Sequence, residues 1–305
     1  MEFRVLRYFL AVAREENITV AANVLHVTQP TLSRQIHDLE DELGHPLFVR
    51  KSHRVELTAE GLLLKKRAEE IITMVQKTKA EFTSRSETVG GDVYIGGGET
   101  QGIRSIAEVI TDLRREFDGV RFHLHSGNAE DVLDRLDKGL LDFGIVIDPV
   151  NIEKYDSLVL PDKDRWGVVM RSDSPLAQKS SIKKEDVRGL PLIVSRQVAA
   201  PAQSGNTFAC WFGSDFERLH IAATYNLIYN AAILAETGAG YVLTLDRLVD
   251  TTGTRALVFR PLEPALEAGL NLVWKKQQVF SPAAELFLER LREFLGQRQA
   301  AEEPL

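Results

Sequence analysis

Gln29, Pro30, Thr31, Ser33 and Arg34 sit almost side by side, and Arg50, Lys51 and Arg54 follow a short distance on. They offer amide, hydroxyl and guanidinium donors with no carboxylate inside either short run, which is chemistry suited to phosphates and base edges. Glutamine can read adenine through paired hydrogen bonds, arginine can read guanine or clamp a phosphate, and open amides at a helix start attract phosphate oxygens. The acids lie apart, at Glu15 and Glu16 and again at Asp38, Glu40, Asp41 and Glu42. A cationic, donor-rich face backed by an acidic one is what docking into a nucleic-acid groove requires. A second group, Thr100, Gln101, Ser126, Asn128, Arg196 and Gln203, falls where predicted strands end. Hydroxyls and amides at the helix starts that follow favour an anion, and Arg196, between Ser195 and Gln197, can pair a carboxylate. Taken singly, Thr100, Ser126 and Asn128 read first as plain helix caps, Arg196 reads equally as an exposed loop cation, and Glu99 would repel an anion unless it points away.

Other chemistry lacks its constellation. Gly96, Gly97 and Gly98 follow a strand, but Gln101 stands where a dinucleotide-binding fingerprint needs its third glycine, and no phosphate-loop lysine follows. His123, His125 and His220 have no partner pattern for zinc and read as surface histidines. No G-x-S-x-G elbow is present. The sole cysteine, Cys210, is expected to be a buried small apolar residue, and it forbids a disulfide within the chain. The sequence thus reads as a non-enzyme with no resident metal or cofactor.

The elements that position these residues follow from periodicity. The chain has 305 residues, 44% of them hydrophobic and 27% charged, with a net charge of −7, a length that suits two or three domains. Residues 1–66 contain nine Lys plus Arg and nine Asp plus Glu, so distribution rather than total charge decides what that segment meets. Phe3, Leu6, Phe9, Leu10 and Ala13 mark one helical face, and a short helix follows over about 20–25. Thr28 and Pro30 signal a third helix start, Leu32, Ile36, Leu39 and Leu43 supply its apolar stripe, and Gly44 with Pro46 ends it. Three short helices with a tight second turn predict a helix-turn-helix, and residues 50–57 a small basic hairpin. A long helix is expected over about 58–87, where Leu64, Ala68, Ile71, Val75, Thr78 and Phe82 keep the spacing of a coiled-coil seam and favour dimerisation.

Beyond Gly90 and Gly91, strand candidates at 93–96, 120–125, 143–147, 166–170, 192–195, 219–225, 241–245, 257–260 and 270–274 alternate with helices. That alternation predicts doubly wound, mainly parallel α/β sheets, which bind ligands beyond the carboxyl ends of their strands. A final helix opens at Ser281 and Pro282. Arg4, Arg7 and Arg14 interrupt the apolar N-terminus and no run approaches a membrane span, so a cytoplasmic protein without membrane attachment is expected.

From Phe9 to Gly61 the sequence resembles the winged helix-turn-helix of LysR-type transcriptional regulators. The resemblance rests on Ala21-Ala22, the run from Leu25 through His26-Val27-Thr28-Gln29-Pro30-Thr31-Leu32-Ser33-Arg34-Gln35 to Ile36, then Leu39-Glu40, Leu43-Gly44, Pro46-Leu47-Phe48, Arg50, and Leu57-Thr58-Ala59-Glu60-Gly61. Ile18-Thr19 departs from the family's usual Ser-Phe. Residues 91–296 resemble the family's effector domain more loosely, through Val93-Tyr94-Ile95-Gly96, Leu140-Leu141-Asp142-Phe143-Gly144-Ile145, Ser174-Pro175-Leu176-Ala177 and Gly238-Ala239-Gly240-Tyr241. The resemblance implies a multidomain chain: an all-α winged helix-turn-helix at 1–58, a linker and dimerisation helix at 59–90, and an effector-binding domain at 91–300. The last would be two Rossmann-like subdomains similar to periplasmic binding proteins, one at about 91–161 with 267–300 and the other at about 162–266. It further implies that Gln29, Pro30, Ser33 and Arg34 face the major groove and its phosphates, with residues 50–54 near the adjacent minor groove. Double-stranded promoter DNA, a small-molecule effector, a homodimer or homotetramer and RNA polymerase are the implied partners. A small organic acid or similar polar metabolite, held by Thr100, Ser126 and Arg196, is the expected effector.

Overall fold

The computed structural model describes residues 1–51, 54–83, 90–199, 207–252 and 256–302. It forms two compact units, Met1–Thr83 and Ser84–Leu305.

The first unit runs α1 (Phe3–Glu15), α2 (Ile18–Val24), α3 (Gln29–Leu43), β1 (Phe48–Arg50), β2 (Val55–Leu57) and α4 (Ala59–Thr83). Phe9 is wholly buried at the centre, surrounded by Leu6, Val12, Ala21, Leu32, Ile36 and Leu39, as the helical spacing requires. The second helix starts earlier than its apolar residues suggest, because the Asn17 side chain accepts from the N–H groups of Thr19 and Val20 and caps it there. Thr28 caps α3, with Pro30 in the first turn, and Gly44 closes it at φ 72°. Glu40, one of the acids behind the donor face, serves the fold. Its carboxylate accepts from the N–H groups of Leu47 at 2.7 Å and Phe48 at 3.1 Å, fixing the chain as it enters β1. The Thr58 hydroxyl accepts from Gly61 N–H at 2.9 Å and donates to the Pro46 carbonyl at 2.8 Å, which docks the start of α4.

The seam expected along α4 divides. Leu64 and Ala68 pack into the first unit's own core together with Ile72, whereas Ile71 and Phe82 are exposed, as are Leu62 and Leu63. A straight helix turns by 3.6 residues, so a stripe drawn at a 3.5-residue repeat drifts from one face to the next.

The second unit runs β3 (Gly91–Gly97), α5 (Ile103–Glu116), β4 (Val120–Ser126), α6 (Ala129–Asp137), β5 (Phe143–Ile147), β6 (Tyr155–Arg171), β7 (Leu192–Ser195), α7 (Arg196–Ala199), α8 (Thr207–Phe212), β8 (Ile221–Tyr225), α9 (Ile228–Glu236), β9 (Tyr241–Leu245), β10 (Leu257–Pro261), β11 (Glu267–Lys275) and α10 (Pro282–Glu302). The strand order is β4-β3-β5-β11-β6-β9-β7-β8, with β10 paired to β6. β3, β4 and β5 are parallel, as are β7, β8 and β9, while β6, β10 and β11 join by antiparallel ladders. The expectation of mainly parallel sheets therefore holds for the outer strands only.

The chief difference is β6. The expected strand at 166–170 is the second half of a 17-residue strand that begins at Tyr155, with Pro161 inside it. The register of β11 slips between Ala268 and Leu270 opposite this point, and such an irregularity is where a proline fits within a sheet. Through it β6 leaves a first lobe and enters a second. In the first, Val93, Ile95, Phe143 and Leu272 pack against α5 and α10, and Val132 and Leu136 of α6 cover the opposite face. In the second, Val168 and Met170 face Phe208 and Phe212, while Val169 between them faces α9, the alternation of a strand covered on both sides.

Candidate functional sites

On α3, Leu32, Ile36 and Leu39 point inward, which leaves Gln29, Pro30, Thr31 and Arg34 exposed and Ser33 half-buried. The Arg34 side chain is 83% exposed and its nearest acid, Asp38, lies 3.9 Å away, so the guanidinium is only loosely held. Thr31 pairs its hydroxyl with that of Thr28 at 2.8 Å and so supports the cap. His37, one turn on from Ser33, shares the exposed face, a neighbour that helical spacing alone could have added. The turn between α2 and α3 places His26 at φ 55°, a left-handed conformation uncommon outside glycine.

The wing differs from the sequence expectation in its charge. Lys51 Nζ lies 2.6 Å from Glu56 and an Arg54 nitrogen 2.5 Å from the same carboxylate, with Glu16 a further 4.0 Å neighbour of Arg54. The hydrogen bond from Lys51, with help from Arg54, holds the Glu56 carboxyl below the ordinary range. Lys51 and Arg54 are thus not unopposed cations. Pairing of Val49 with Glu56 and Arg50 with Val55 in the hairpin brings the acid beside the basic turn, a register not fixed by composition. The Arg50 side chain lies outside the described residues.

In the second unit the strand ends converge on a cleft between the lobes. It has an inner compartment of about 90 Å³, bounded by Glu99, Asn128, Asp148, Trp166, Phe208 and Tyr225 among others. An outer compartment of about 310 Å³ contains Thr100, Gln101, Ser126, His125 and Arg247. Glu99 borders both. It does not point away but faces the cleft, and its carboxylate accepts from Ile228 N–H at 2.5 Å, at the first turn of α9.

Several expected ligand residues are engaged elsewhere. Thr100 is buried, donates its hydroxyl to Asp164 and accepts from Gly102 N–H at 3.0 Å, so it is not free for an effector. Gln101 donates to the Arg247 carbonyl at 2.7 Å and accepts from Arg104 at 2.8 Å, linking the lobes. Asn128 is a plain cap, accepting from Asp131 N–H at 2.9 Å at the start of α6. Ser126 is exposed in the outer compartment. Arg196 is exposed at the start of α7 and does not border the cleft, because the short helix turns it outward. Gln203 lies outside the described residues. The three-residue cradle for an organic acid is therefore not assembled. Sequence reasoning missed Trp166, Phe208 and Tyr225 as walls, since isolated aromatics carry no spacing signal. Cys210 is exposed rather than buried, because α8 turns Phe208 and Phe212 inward.

Asp164, in the crossover of β6, is buried and accepts from Thr100 and from Gln101 N–H at 3.3 Å. Burial pushes its pKa above the ordinary 3.8, and Asp246 nearby adds to the rise. The folded chain therefore holds this proton more tightly than the unfolded chain. Its contribution to stability is greatest below the ordinary value and is lost as pH climbs through the folded one. Asp164→Asn, which cannot ionise, is expected to raise the thermal midpoint at neutral pH by about 2–4 °C, the effect of roughly 1 kcal/mol in a domain of this size. Calorimetry should show that gain shrinking in acid. A midpoint lowered equally at both pH values would mean that the carboxylate's hydrogen bonds outweigh its burial.

His123 lies 2.7 Å from Asp92 and stacks on Tyr94, and His125 lies 2.5 Å from Asp131. No group of three or more His, Cys, Asp or Glu among the described residues could hold a metal ion. No helix among them is long and apolar enough to cross a membrane.

A winged helix-turn-helix followed by a two-lobed α/β unit defines a class of DNA-binding regulator. Residues 3–62 match the bacterial regulatory helix-turn-helix protein, lysR family, and residues 86–296 match the LysR substrate binding domain. The chain belongs to the LysR family of transcriptional regulators. It is 31% identical over 294 residues to the DNA-binding transcriptional dual regulator OxyR of Escherichia coli (strain K12), covering 96% of this chain and 95% of that one. It is 32% identical over 279 residues to a hydrogen peroxide-inducible genes activator of Pectobacterium carotovorum subsp. carotovorum, covering 87% and 92%. Its fold resembles that of full-length CbnR complexed with its target DNA, with a TM-score of 0.71 at 19% identity over 96% of this chain and 100% of the other.

Proposed function

We propose that this regulator docks the exposed front of α3 in the major groove, with Gln29, Pro30, Thr31, Ser33 and Arg34 at phosphates and bases and the turn around Arg50, Lys51 and Arg54 at the neighbouring minor groove. Two copies joined through α4 would meet half-sites about 34 Å apart or a multiple of it. A small molecule bound in the interlobe cleft would shift the population between oligomer geometries, and so change DNA bending and polymerase access. The observation that carries this reading is the acid-free, exposed front of α3 in a chain whose second unit holds a cleft between two lobes. The apolar residues exposed on α4, Leu62, Leu63 and Ile71, support a dimer seam.

Footprinting on the DNA upstream of its own gene, at two salt concentrations, tests the reading. Protection of two spaced half-sites by a dimer or tetramer is expected. A monomer by light scattering, or protection that fades uniformly with salt, would oppose it. The wing gives a sharper check. Glu56→Gln removes the carboxylate that Lys51 and Arg54 share and leaves, among the described residues, only Glu16, 4.0 Å from Arg54, so affinity for any duplex should rise at low salt and the salt slope should steepen by about one. Identical salt titrations for the two proteins would place those cations away from the phosphates.

A further inference from the structure

The inner compartment has a charge pattern opposite to that of an organic-acid site. Among the described residues that border it there is no Lys, Arg or His, while Glu99 and Asp148 both do. The cations of the outer compartment are already engaged, Arg247 lying 3.3 Å from Asp246 and His125 2.5 Å from Asp131.

The place where an anion would be welcome is occupied by the chain itself. A helix start presents unpaired N–H groups and partial positive charge. The α9 start has Leu227 at its cap position, with no side-chain bond to satisfy those groups. Glu99, from the other lobe, supplies the missing acceptor to Ile228 N–H. A carboxylate ligand would have to displace Glu99, or lie beside it and Asp148 with no compensating cation.

The same surfaces suit the opposite charge. Glu99 gives one oxygen to Ile228, and Asp148 accepts from Asn271 at 3.0 Å through one oxygen. Each carboxylate keeps a second oxygen without a hydrogen bond among the described residues. Trp166 and Phe208 meet edge to face with centroids 4.5 Å apart, and Tyr225 completes an aromatic wall. Aromatic faces attract cations, most strongly where water is excluded.

We propose that the inner compartment selects a small organic cation, an amine carried on an apolar body, and that Glu99 is the residue that sets this preference. The inference rests on the cleft being the effector site, and it replaces the organic acid expected from the sequence. Amine N–H groups would satisfy the open oxygens of Glu99 and Asp148 while the body lies against Trp166 and Phe208. Glu99→Gln keeps an oxygen acceptor for Ile228 N–H but removes the charge, so it separates charge selection from support of α9.

The test is isothermal titration of the full chain with two pairs of probes alike in apolar body and opposite in charge, butylamine with butyrate and benzylamine with benzoate. At least one amine is expected to bind the native protein while its acid partner gives no heat, and Glu99→Gln should weaken that amine by about tenfold or more. Binding of the acids in preference, no binding of either amine, or amine affinity indifferent to Glu99→Gln would each overturn the proposal. The same probes added to the DNA footprint separate the amine preference from the sensor reading beneath it. If an acid alters the footprint, the sensor reading stands and the amine preference falls. An amine that binds the cleft and leaves both footprint and oligomer unchanged would uphold the preference and remove the sensor reading.

Discussion

Gly61→Ala weakens the first unit by about 1–3 kcal/mol, the usual cost of forcing one carbon into a filled space. A methyl at this position would stand 2.2 Å from the Leu47 carbonyl oxygen and 3.0 Å from a Leu57 methyl. The first is backbone and cannot swing aside, since that carbonyl accepts from Thr58 N–H at 3.0 Å while the Leu47 N–H is held by Glu40. Alanine would otherwise favour the helix over glycine by about 1 kcal/mol, so the two effects oppose each other and the sign of the result is informative. Urea unfolding followed by hydrogen exchange at α1 and α3 should show the loss. A midpoint equal to or above that of the native chain would mean that α4 can slide away from the turn at Leu47.

Arg34→Ala is expected to leave stability unchanged and yet to cost about 1–3 kcal/mol of specific DNA affinity in the proposed docking. The first half follows from its 83% exposure and the 3.9 Å separation from Asp38, a surface ion pair of little energetic worth. The second follows from its position on the exposed front of α3. Loss of a base contact would relax sequence preference at one position, whereas loss of a phosphate contact would weaken all duplexes alike and lower the salt slope by about one. Fluorescence anisotropy with an operator and a scrambled duplex separates the two. Equal affinity of variant and native protein for the operator would take Arg34 out of the interface.

Much of the first unit was legible in its sequence because its signals are local. Thr28, Pro30 and Gly44 bound α3 with chemistry that acts within one turn, and the spacing of Leu32, Ile36 and Leu39 fixes which face is left exposed. The pairing of Glu56 with the wing cations was not legible, because it depends on which residue of β2 faces which of β1. The same is true of the 17-residue β6, where Pro161 looks like a terminator until a slip in the partner strand is known. The cleft was readable as a place, since strand ends announce it, but not as a chemistry. Thr100 and Asn128 have the types a ligand would need, and whether they are free depends on Asp164 and Asp131, which are remote or ambiguous in the linear sequence.

The strand pairing also imposes an order of assembly during synthesis. The first unit is complete once α4 has formed, and its core uses only residues near one another in the chain. The first lobe of the second unit cannot close so early. β5 waits for β11, and the aromatic stack of Phe143 with Phe280 and Phe287 waits for α10. A nascent chain emerging from the ribosome therefore presents a finished α3 well before it has a cleft, and until β11 arrives it carries an open sheet edge at β5. That interval is when a chaperone would be needed, and when premature association between nascent chains would do most harm.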